Sequence, residues 1–475
     1  MKLFTLLFFF VTTLSIAQTA QYQITYTEKY NGKETNLDKK IVVFADEKQT
    51  LITTSNFNNS DFPKQRNFIN TQDQTITTEG YLAANRMISM IDSSAIAKQN
   101  WTLTNETALI SGYKAKKATT SINSNRIDIW LTNELPVNAA PNTLGIKLGT
   151  VLRYVRNNDY VIEVSSVKKL KKKELVDLKP SPSQIVDGLV YQDLMMKARY
   201  QTISIFKDEI ISFNETNTSN DSIFKYANGT VAVRKIKFPK IEKGSLVFLD
   251  VKQQANGDAY DRTGSVFAIL PSNKTTFLKG LQEGINTLPL YDNGSSKKYQ
   301  GVVSTENYET TLELMRFFTS FGVHHFNYIK QKDKDWRDWS DFRQDISEFN
   351  ETFSEKEIYI GIFIGNYDKG GHKVSANITI HPNERNLFEN KVIKPLFNTT
   401  NVMEMGGQAY PILFENNKTL KVTFTLAHDL QHAYLKYIAT GHGGWENGDE
   451  FVPKTHELYV DQQFVQKWIP WRVEC

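Results

Sequence analysis

Short runs of apolar residues with strand-like spacing recur along most of this chain and limit what it can fold into. Segments 22–27 and 127–132 alternate apolar and polar residues, and residues 358–364 form a continuous apolar run of strand length. Alternation with period two suits a strand with one face on a core, whereas a short continuous run suits a strand covered on both faces. The best helix candidate is residues 183–198, with Ser183 as its cap. Further strands are predicted at 246–251, 265–270, 374–380, 420–426 and 456–460. The pattern therefore predicts an all-β fold.

Polar and turn-forming segments divide the chain into modules. The Pro-Ser stretch at 180–183 and the polar loop at 214–221 mark two boundaries. We expect a β accessory domain at 20–175, a linker with one helix at 176–222, a first jelly-roll domain at 223–385 and a second at 386–475. A jelly roll needs about eight strands. The last segment is too short for them, which predicts an incomplete second jelly roll and a chain truncated at its C-terminus.

The start of the chain has the features of an export signal. Lys2 is followed by an apolar run over residues 3–16, and Ser15 and Ala17 supply small residues at a cleavage position. The run is shorter than the ~20 residues that span a bilayer, and no later stretch is apolar enough to do so. We predict a signal peptide at 1–17 and a secreted or periplasmic protein without a membrane span.

Charge and cysteine content exclude several classes of function. The net charge of +4 over 475 residues is too small to predict nucleic-acid binding. Cys475 is the only cysteine, so an intrachain disulfide and a zinc site with several cysteine ligands are excluded.

Two histidines leave a metal site open as an alternative. His428 and His432 would face one metal if they lay on a helix, as in zinc proteases. However, the residue between them is Asp429, the flanks are strand-like, and zinc needs a third ligand, for which only His442 is at hand. The simpler interpretation is an exposed loop between strands.

The loop at 440–450 is a second candidate for chemistry. It combines four glycines with three acids, and glycine lets the backbone approach a ligand closely. Trp445 can stack on the face of a sugar, and the acids can polarise a water or bind hydroxyl groups. These acids are Glu446, Asp449 and Glu450. A solvated, flexible loop is the alternative.

The third candidate lies at the start of a predicted strand, residues 265–270. A turn at Asn256 and Gly257 precedes Asp261 and Arg262. A carboxylate beside a guanidinium is either a surface pair that contributes little or a carboxylate held ionised at a strand end, as a catalytic base requires.

These stretches resemble the peptide:N-glycosidase F family. Residues 257–267 (Gly-Asp-Ala-Tyr-Asp-Arg-Thr-Gly-Ser-Val-Phe) are similar to its Asp-Glu-Trp-Asp-Arg motif, and residues 448–456 to its second acidic motif. His442 resembles the histidine just upstream of that second motif. Residues 112–118 are similar to the secreted GLPGLI β-module, with alanine at its usual cysteine. Two motifs in the family's order are more specific than either alone and indicate a larger bacterial member.

The resemblance implies a monomeric amidase without metal or other cofactor. Its N-glycoprotein or glycopeptide substrate would be cut between asparagine and the innermost N-acetylglucosamine, giving aspartate and a glycosylamine. Asp261 would be the key acid, supported by Glu450, and Arg262 would keep Asp261 ionised. The residues placed at the substrate would be Arg262, Tyr260, His442, Trp445, Glu446 and Asp449.

One departure from the family concerns a third acid. Gly365 stands at its place, and the nearby Asp368 is not assigned the role. A non-catalytic glycan-binding or surface protein on the same scaffold is the alternative function.

Overall fold

The computed structural model describes residues 19–171, 174, 176–215, 218–294, 296–322, 328–334, 337–383, 391–409, 418–426, 428–441 and 451–471. Strands dominate these ranges, and the α-helices within them are three short ones, which confirms the all-β prediction. The chain divides into two compact units, Met1–Tyr200 and Gln201–Cys475. The predicted signal peptide lies outside the described residues. No helix in the described ranges is both long and apolar enough to span a membrane.

The first unit is built on one large sheet. Its strands are β1 Tyr22–Tyr30, β2 Lys33–Thr35, β3 Ile41–Ala45, β4 Gln49–Thr54, β5 Lys64–Asn70, β6 Thr75–Ala83, β7 Arg86–Asp92, β8 Thr102–Ile110, β9 Tyr113–Ile122, β10 Asn125–Thr132, β11 Thr150–Arg156, β12 Tyr160–Lys169 and β13 Gln184–Ile185. Their order is β13-β7-β6-β5-β4-β3-β1-β12-β11-β10-β9-β8, with β2 beside β1. The described strand pairs of this sheet are antiparallel except β13–β7.

Period-two alternation explains the core of this sheet. Ile24, Ile129 and Val164, from three different strands, are buried in one apolar cluster. The turn between β11 and β12 contains Asn157 and Asn158, both with positive φ, a conformation that asparagine tolerates better than most residues.

The helix α1, Gly188–Lys197, begins later than predicted. Its cap is Asp187, whose side chain accepts the amide hydrogens of Leu189 and Val190, and not Ser183. Residues 184–185 form β13 instead of a first helical turn. The buried face of α1 packs on β6 and β7.

The second unit begins with a strand that the sequence analysis placed in a linker. Its strands are β14 Gln201–Ile211, β15 Ile223–Tyr226, β16 Val231–Lys237, β17 Leu246–Ala255, β18 Thr263–Ile269, β19 Thr275–Thr276, β20 Leu290–Tyr291, β21 Tyr299–Gln300, β22 Tyr308–Glu309, β23 Leu312–Phe318, β24 Ser340–Asp345, β25 Glu357–Ile364, β26 His372–His381, β27 His456–Val460 and β28 Gln463–Trp468. The helices are α2 Phe277–Glu283 and α3 Asn350–Phe353.

Two of these sheets form a β-sandwich. One has the order β14-β26-β17-β24 and the other β15-β16-β25-β18-β23. Residues from both are buried in a shared apolar core, including Ile378 of the first sheet and Ile360 of the second. Strand β14 pairs with β26 along most of its length. The range 176–222 is therefore not all linker, because Ile205 and Phe206 of β14 belong to the sandwich core.

The central strand β25 is covered on both faces, as its continuous apolar run predicts. Ile358 and Ile362 point into the sandwich core. Phe363 points the other way, into a second cluster with Phe277 of α2 and Met403. β25 is therefore the central strand of its sheet and is buried on both faces.

Strands after residue 386 are few in the described ranges. They are β27 and β28, which pair as a hairpin; β27 matches the strand predicted at 456–460. The strand predicted at 420–426 is not formed. Tyr437 packs against His456 and Trp468 of the hairpin.

Candidate active site

Two connections between the sheets of the sandwich lie side by side at one end. The chain leaves β17, crosses to the other sheet through residues 256–262 and enters β18. It crosses back from β25 to β26 through residues 365–371. Ala255 faces His372 in one sheet and Gly264 faces Ile364 in the other. This register brings together the loop of Asp261 and the loop of Asp368.

Glycines and an Asx turn fix the contact between these loops. The Asp368 side chain accepts the amide hydrogens of Gly370 and Gly371 at 2.7 and 3.0 Å. Gly371 has a φ of +61°, and a Cβ there would lie 2.2 Å from the Ile211 carbonyl oxygen. Its own carbonyl accepts the Asn256 amide at 2.9 Å. The Asp368 side chain therefore stabilises the turn at Gly370 and Gly371.

Arg262 is paired with Asp258, four residues earlier in the same loop. Nε donates to Oδ2 at 2.7 Å and Nη2 donates to Oδ1 at 3.3 Å. The Asp258 side chain is 1% exposed and that of Arg262 23%. We expected this guanidinium to hold Asp261 ionised. The structure assigns its bidentate contact to Asp258, because the loop turns back on itself and places position 258 beneath the start of β18.

The Asp258 carboxylate is strongly held in its ionised form. Burial alone would raise the pKa of Asp258. Contacts from His372, Arg262 and the Tyr260 amide outweigh burial and lower this pKa to about 2. Asp258 is therefore a permanent negative charge at neutral pH.

Hydrogen bonds fix the backbone of both residues next to Asp261. The Tyr260 amide donates to Asp258 Oδ1 at 3.1 Å, and the Tyr260 carbonyl accepts the Thr319 hydroxyl at 2.7 Å. On the other side, the Arg262 amide donates to Thr319 Oγ1 at 2.7 Å. The backbone on both sides of Asp261 is thus fixed by one buried carboxylate and one buried hydroxyl. Asp261 is half-buried.

Exposed aromatic rings surround Arg262. The guanidinium carbon lies 4.9 Å from the Tyr260 ring centroid and 5.7 Å from that of Tyr367. Tyr260 also packs edge-on against Phe321 at 5.9 Å, and all three rings are more than half exposed. The Tyr367 hydroxyl donates to Glu404 at 2.8 Å. Exposed aromatic faces beside a charged group are typical of sugar-binding surfaces, which pair an apolar ring face with polar partners.

The chain that leads into the second acidic segment contacts strand β23 of the sandwich. Thr440, two residues before His442 in the sequence, accepts a hydrogen bond from Arg316 Nη1 at 3.0 Å. Arg316 lies on β23, opposite Ser265 of β18. Ser265 follows Asp261 by four residues, or about 13 Å of extended strand. The remaining predicted residues of the acidic loop lie outside the described residues: His442, Trp445, Glu446, Asp449 and Glu450.

The histidines considered for zinc do not lie on a helix. His428 and His432 are exposed in irregular structure, and His432 has a φ of +56°. Within the described ranges, no three His, Cys, Asp or Glu side chains are grouped closely enough to hold a metal ion. The pair therefore lacks the one-face geometry on which the protease alternative depends.

Sequence reasoning missed three residues of this site. Asp258 was within the quoted motif but had no role, although its spacing of four residues from Arg262 is a signal. Tyr367 and Phe321 reach the site from loops that are distant in the sequence. Only the topology of the sandwich brings them to Asp261.

Family models match nearly the whole described chain. The model described as "Peptide-N-glycosidase F, N terminal" matches residues 202–380, and "Peptide-N-glycosidase F, C terminal" matches residues 409–475. The model described as "N-glycanase peptide, N-terminal domain" matches residues 24–193, the region for which the GLPGLI resemblance stays a prediction. A search of curated proteins finds no match.

Solved structures agree with the family models. The structure of PNGF-II in the C2 space group has 43% identity and a TM-score of 0.87, covering 96% of this chain and 84% of that one. The structure of PNGF-II in the P21 space group has 44% identity and a TM-score of 0.88, covering 97% and 85%. Fold and site thus define an all-β hydrolase of the peptide-N-glycosidase class. The chain belongs to the peptide-N-glycosidase F family.

Proposed function

We propose that this chain hydrolyses the amide bond between an asparagine side chain and the innermost N-acetylglucosamine of N-glycoproteins, with Asp261 as the key acid. The observation that carries the proposal is the position of Asp261 at the crossover end of the sandwich, with both neighbouring residues braced. A catalytic carboxylate needs such fixed geometry, because misplacement by about 1 Å can cost about 10²-fold in rate.

The chemistry is a simple amide hydrolysis. Asp261 takes a proton from water as the water oxygen bonds to the side-chain carbonyl carbon of asparagine. The carbon–nitrogen bond then breaks, and the nitrogen leaves with an added proton as a glycosylamine, while asparagine becomes aspartate. General base catalysis by a positioned side chain contributes about 10²–10⁴-fold.

Arg262 and the aromatic rings would receive the substrate. Arg262 is held through Nε and Nη2 by Asp258, so its position is fixed before substrate arrives. Tyr260 and Tyr367 place exposed aromatic rings beside it. This arrangement supports a role for Arg262 in orienting polar sugar or peptide groups, with the rings stacking on the glycan.

The acidic loop would complete the site. Arg316 of β23 donates a hydrogen bond to Thr440, and β23 pairs with β18. The chain segment that contains Glu450 therefore begins near these two strands. We propose Glu450 as the supporting carboxylate. The residues proposed to line the substrate from the same loop are His442, Trp445, Glu446 and Asp449.

The test is glycan release from a denatured N-glycoprotein by the purified full chain. Mass spectrometry in heavy-oxygen water should show conversion of the glycosylated asparagine to labelled aspartate. Asp261→Asn should lower turnover by about 10²–10⁴-fold while glycopeptide binding persists. Asp292→Asn, a change at an exposed carboxylate of the same unit, should leave both unchanged.

Two outcomes would reject the proposal. Release with asparagine left unconverted would indicate cleavage between sugars, and binding without any release would indicate the glycan-binding alternative. Activity that disappears on chelation and returns with zinc would instead revive a metal-dependent hydrolase.

We further propose that the protein is exported and acts as a monomer. The basis is the apolar N-terminal segment with small residues before position 18. Expression in a bacterial host should give a mature chain that begins at Gln18, outside the cytoplasm, and gel filtration should give the monomer mass.

A further inference from the structure

A buried polar pair lies directly beneath the Asp258–Arg262 ion pair. His372 begins β26 and Gln253 is near the end of the adjacent β17, and each is only 1% exposed. Gln253 Nε2 lies 3.0 Å from His372 Nδ1. His372 Nε2 lies 3.5 Å from Asp258 Oδ2, longer than a well-formed hydrogen bond.

The His372–Gln253 pair contributes little to the stability of this end of the sandwich. His372 Nε2 and Gln253 Oε1 have no hydrogen-bond partner among the described residues. A buried polar atom without a partner costs about 1–3 kcal/mol, whereas an apolar pair of the same shape is often neutral or stabilising. The neighbouring positions in both strands are filled by apolar residues such as Val251 and Val374, so an apolar alternative is compatible with the fold.

The orientation of the His372 ring, with Nδ1 towards Gln253 and Nε2 towards Asp258, indicates a role in positioning. When the Gln253 amide nitrogen donates to Nδ1, that atom carries no hydrogen, so the ring N–H is on Nε2, which faces Asp258. The imidazole thereby limits how the Asp258 carboxylate can rotate. That carboxylate holds the Arg262 side chain and the Tyr260 amide, the two neighbours of Asp261.

We propose that His372, oriented by Gln253, is a positioning residue that fixes Asp258 and, through it, Arg262 and the backbone of Asp261. The proposal rests on the proposed function, since it assigns His372 a role in that same reaction. His372 has no contact with substrate in this scheme. Its effect is on the alignment of the catalytic group.

The double substitution Gln253→Met with His372→Leu tests this role. We expect the melting temperature to change little, because removal of the unpaired Gln253 oxygen offsets the loss of the His372 contact with Asp258. We expect kcat on a glycopeptide to fall by about 10–10²-fold, the scale of a misaligned catalytic group, while KM changes less than about threefold because the exposed rings remain. A merely structural role would move stability and leave kcat in step with the folded fraction.

Two further variants complete the test. His372→Gln keeps an N–H donor near Asp258 and should retain most of the wild-type kcat. His381→Leu changes a histidine at the far end of the same strand, about 30 Å away by strand rise, and should leave kcat unchanged. If the double variant fails to fold, Gln253→Leu alone should lower kcat, because the imidazole is no longer oriented.

Failure of the inference and failure of the proposed function give different results. An active wild type whose double variant keeps full kcat overturns the positioning role and leaves the function standing. If the wild type releases no glycan, the function fails. A crystal structure of the double variant then still decides the inference, since an Asp258–Arg262 contact unchanged from 2.7 Å would overturn it.

Discussion

Replacing Asp258 with asparagine removes one buried negative charge and almost nothing of the side chain's volume. Asparagine at this position presents an amide in place of one carboxylate oxygen, so at least one guanidinium donor of Arg262 loses its acceptor. The Arg262 side chain remains 23% exposed and can be partly rehydrated. The change therefore isolates the electrostatic part of the Asp258–Arg262 contact.

The expected loss of stability follows from the ionisation of Asp258. A pKa lowered from 3.8 to about 2 corresponds to about 2 kcal/mol of folding free energy at pH 7. Removing one partner of a fully buried pair costs about 3–5 kcal/mol, and rehydration of Arg262 keeps the cost below that range. We expect about 2–3 kcal/mol, or a fall in Tm of about 4–12 °C.

The dependence on pH gives the sharper result. Because the pKa is lower in the folded state, the stabilisation is complete above the unfolded value of 3.8 and is lost as pH falls towards 2. The difference in Tm between wild type and Asp258→Asn should thus be constant from pH 8 to pH 5 and shrink only below about pH 4.

Differential scanning calorimetry of the full chain is the suitable assay. Only the transition of the unit Gln201–Cys475 should move, and the first unit, with its separate core, serves as an internal control. A difference that already shrinks between pH 7 and pH 5, where histidines titrate, would refute the carboxylate as its source. Equal melting of the two proteins at pH 7 would refute the ion pair's contribution altogether.

Three other substitutions test the supports of the site. Gly371→Ala should destabilise the second unit by more than about 2 kcal/mol, because the new Cβ meets a carbonyl oxygen at 2.2 Å and positive φ is strained for alanine. The control Gly407→Ala, at positive φ in open space, should cost about 1 kcal/mol. Urea titration measures both free energies of unfolding. Thr319→Val should lower kcat about tenfold, because it removes both hydrogen bonds to the backbone next to Asp261. Thr319→Ser should retain the wild-type kcat. Equal kcat values for Thr319→Val and the wild type would contradict this role of Thr319. Arg316→Met should cost about 2–3 kcal/mol, because the Glu313 carboxylate, only 10% exposed, loses its cation and keeps the Ser265 hydroxyl as a donor; exposed Arg343→Met should stay within about 1 kcal/mol in the same titration.

Much of the fold was predictable because strand signals are local. The strands predicted at 246–251, 358–364 and 374–380 lie within β17, β25 and β26, and the one predicted at 265–270 lies in β18 except for its last residue. Strand β14 was missed for a physical reason. It contains a break in register around Asp208, which has positive φ. Its partner β26 is distant in the sequence, so no local pattern predicts the pairing.

The candidate site was predictable only in part. The sequence identified Asp261 and Arg262 through their neighbouring positions, but not which carboxylate the guanidinium binds. That choice depends on how the loop folds back over β26, and His372 is more than one hundred residues further along the chain. Contacts made across the two crossovers are properties of the sandwich and have no signature in a short motif.

The two crossovers also couple the stability of the loop 256–262 to that of the whole sandwich. The Tyr260 and Arg262 amides donate to the side chains of Asp258 and Thr319. The Asn256 and Asp258 amides donate to the carbonyl oxygen of Gly371. Opening of this loop therefore breaks hydrogen bonds to Thr319, which follows β23 of one sheet, and to Gly371, which precedes β26 of the other. Heat inactivation of such an enzyme should follow the melting curve of its second unit, with no earlier phase in which a folded protein has already lost its activity.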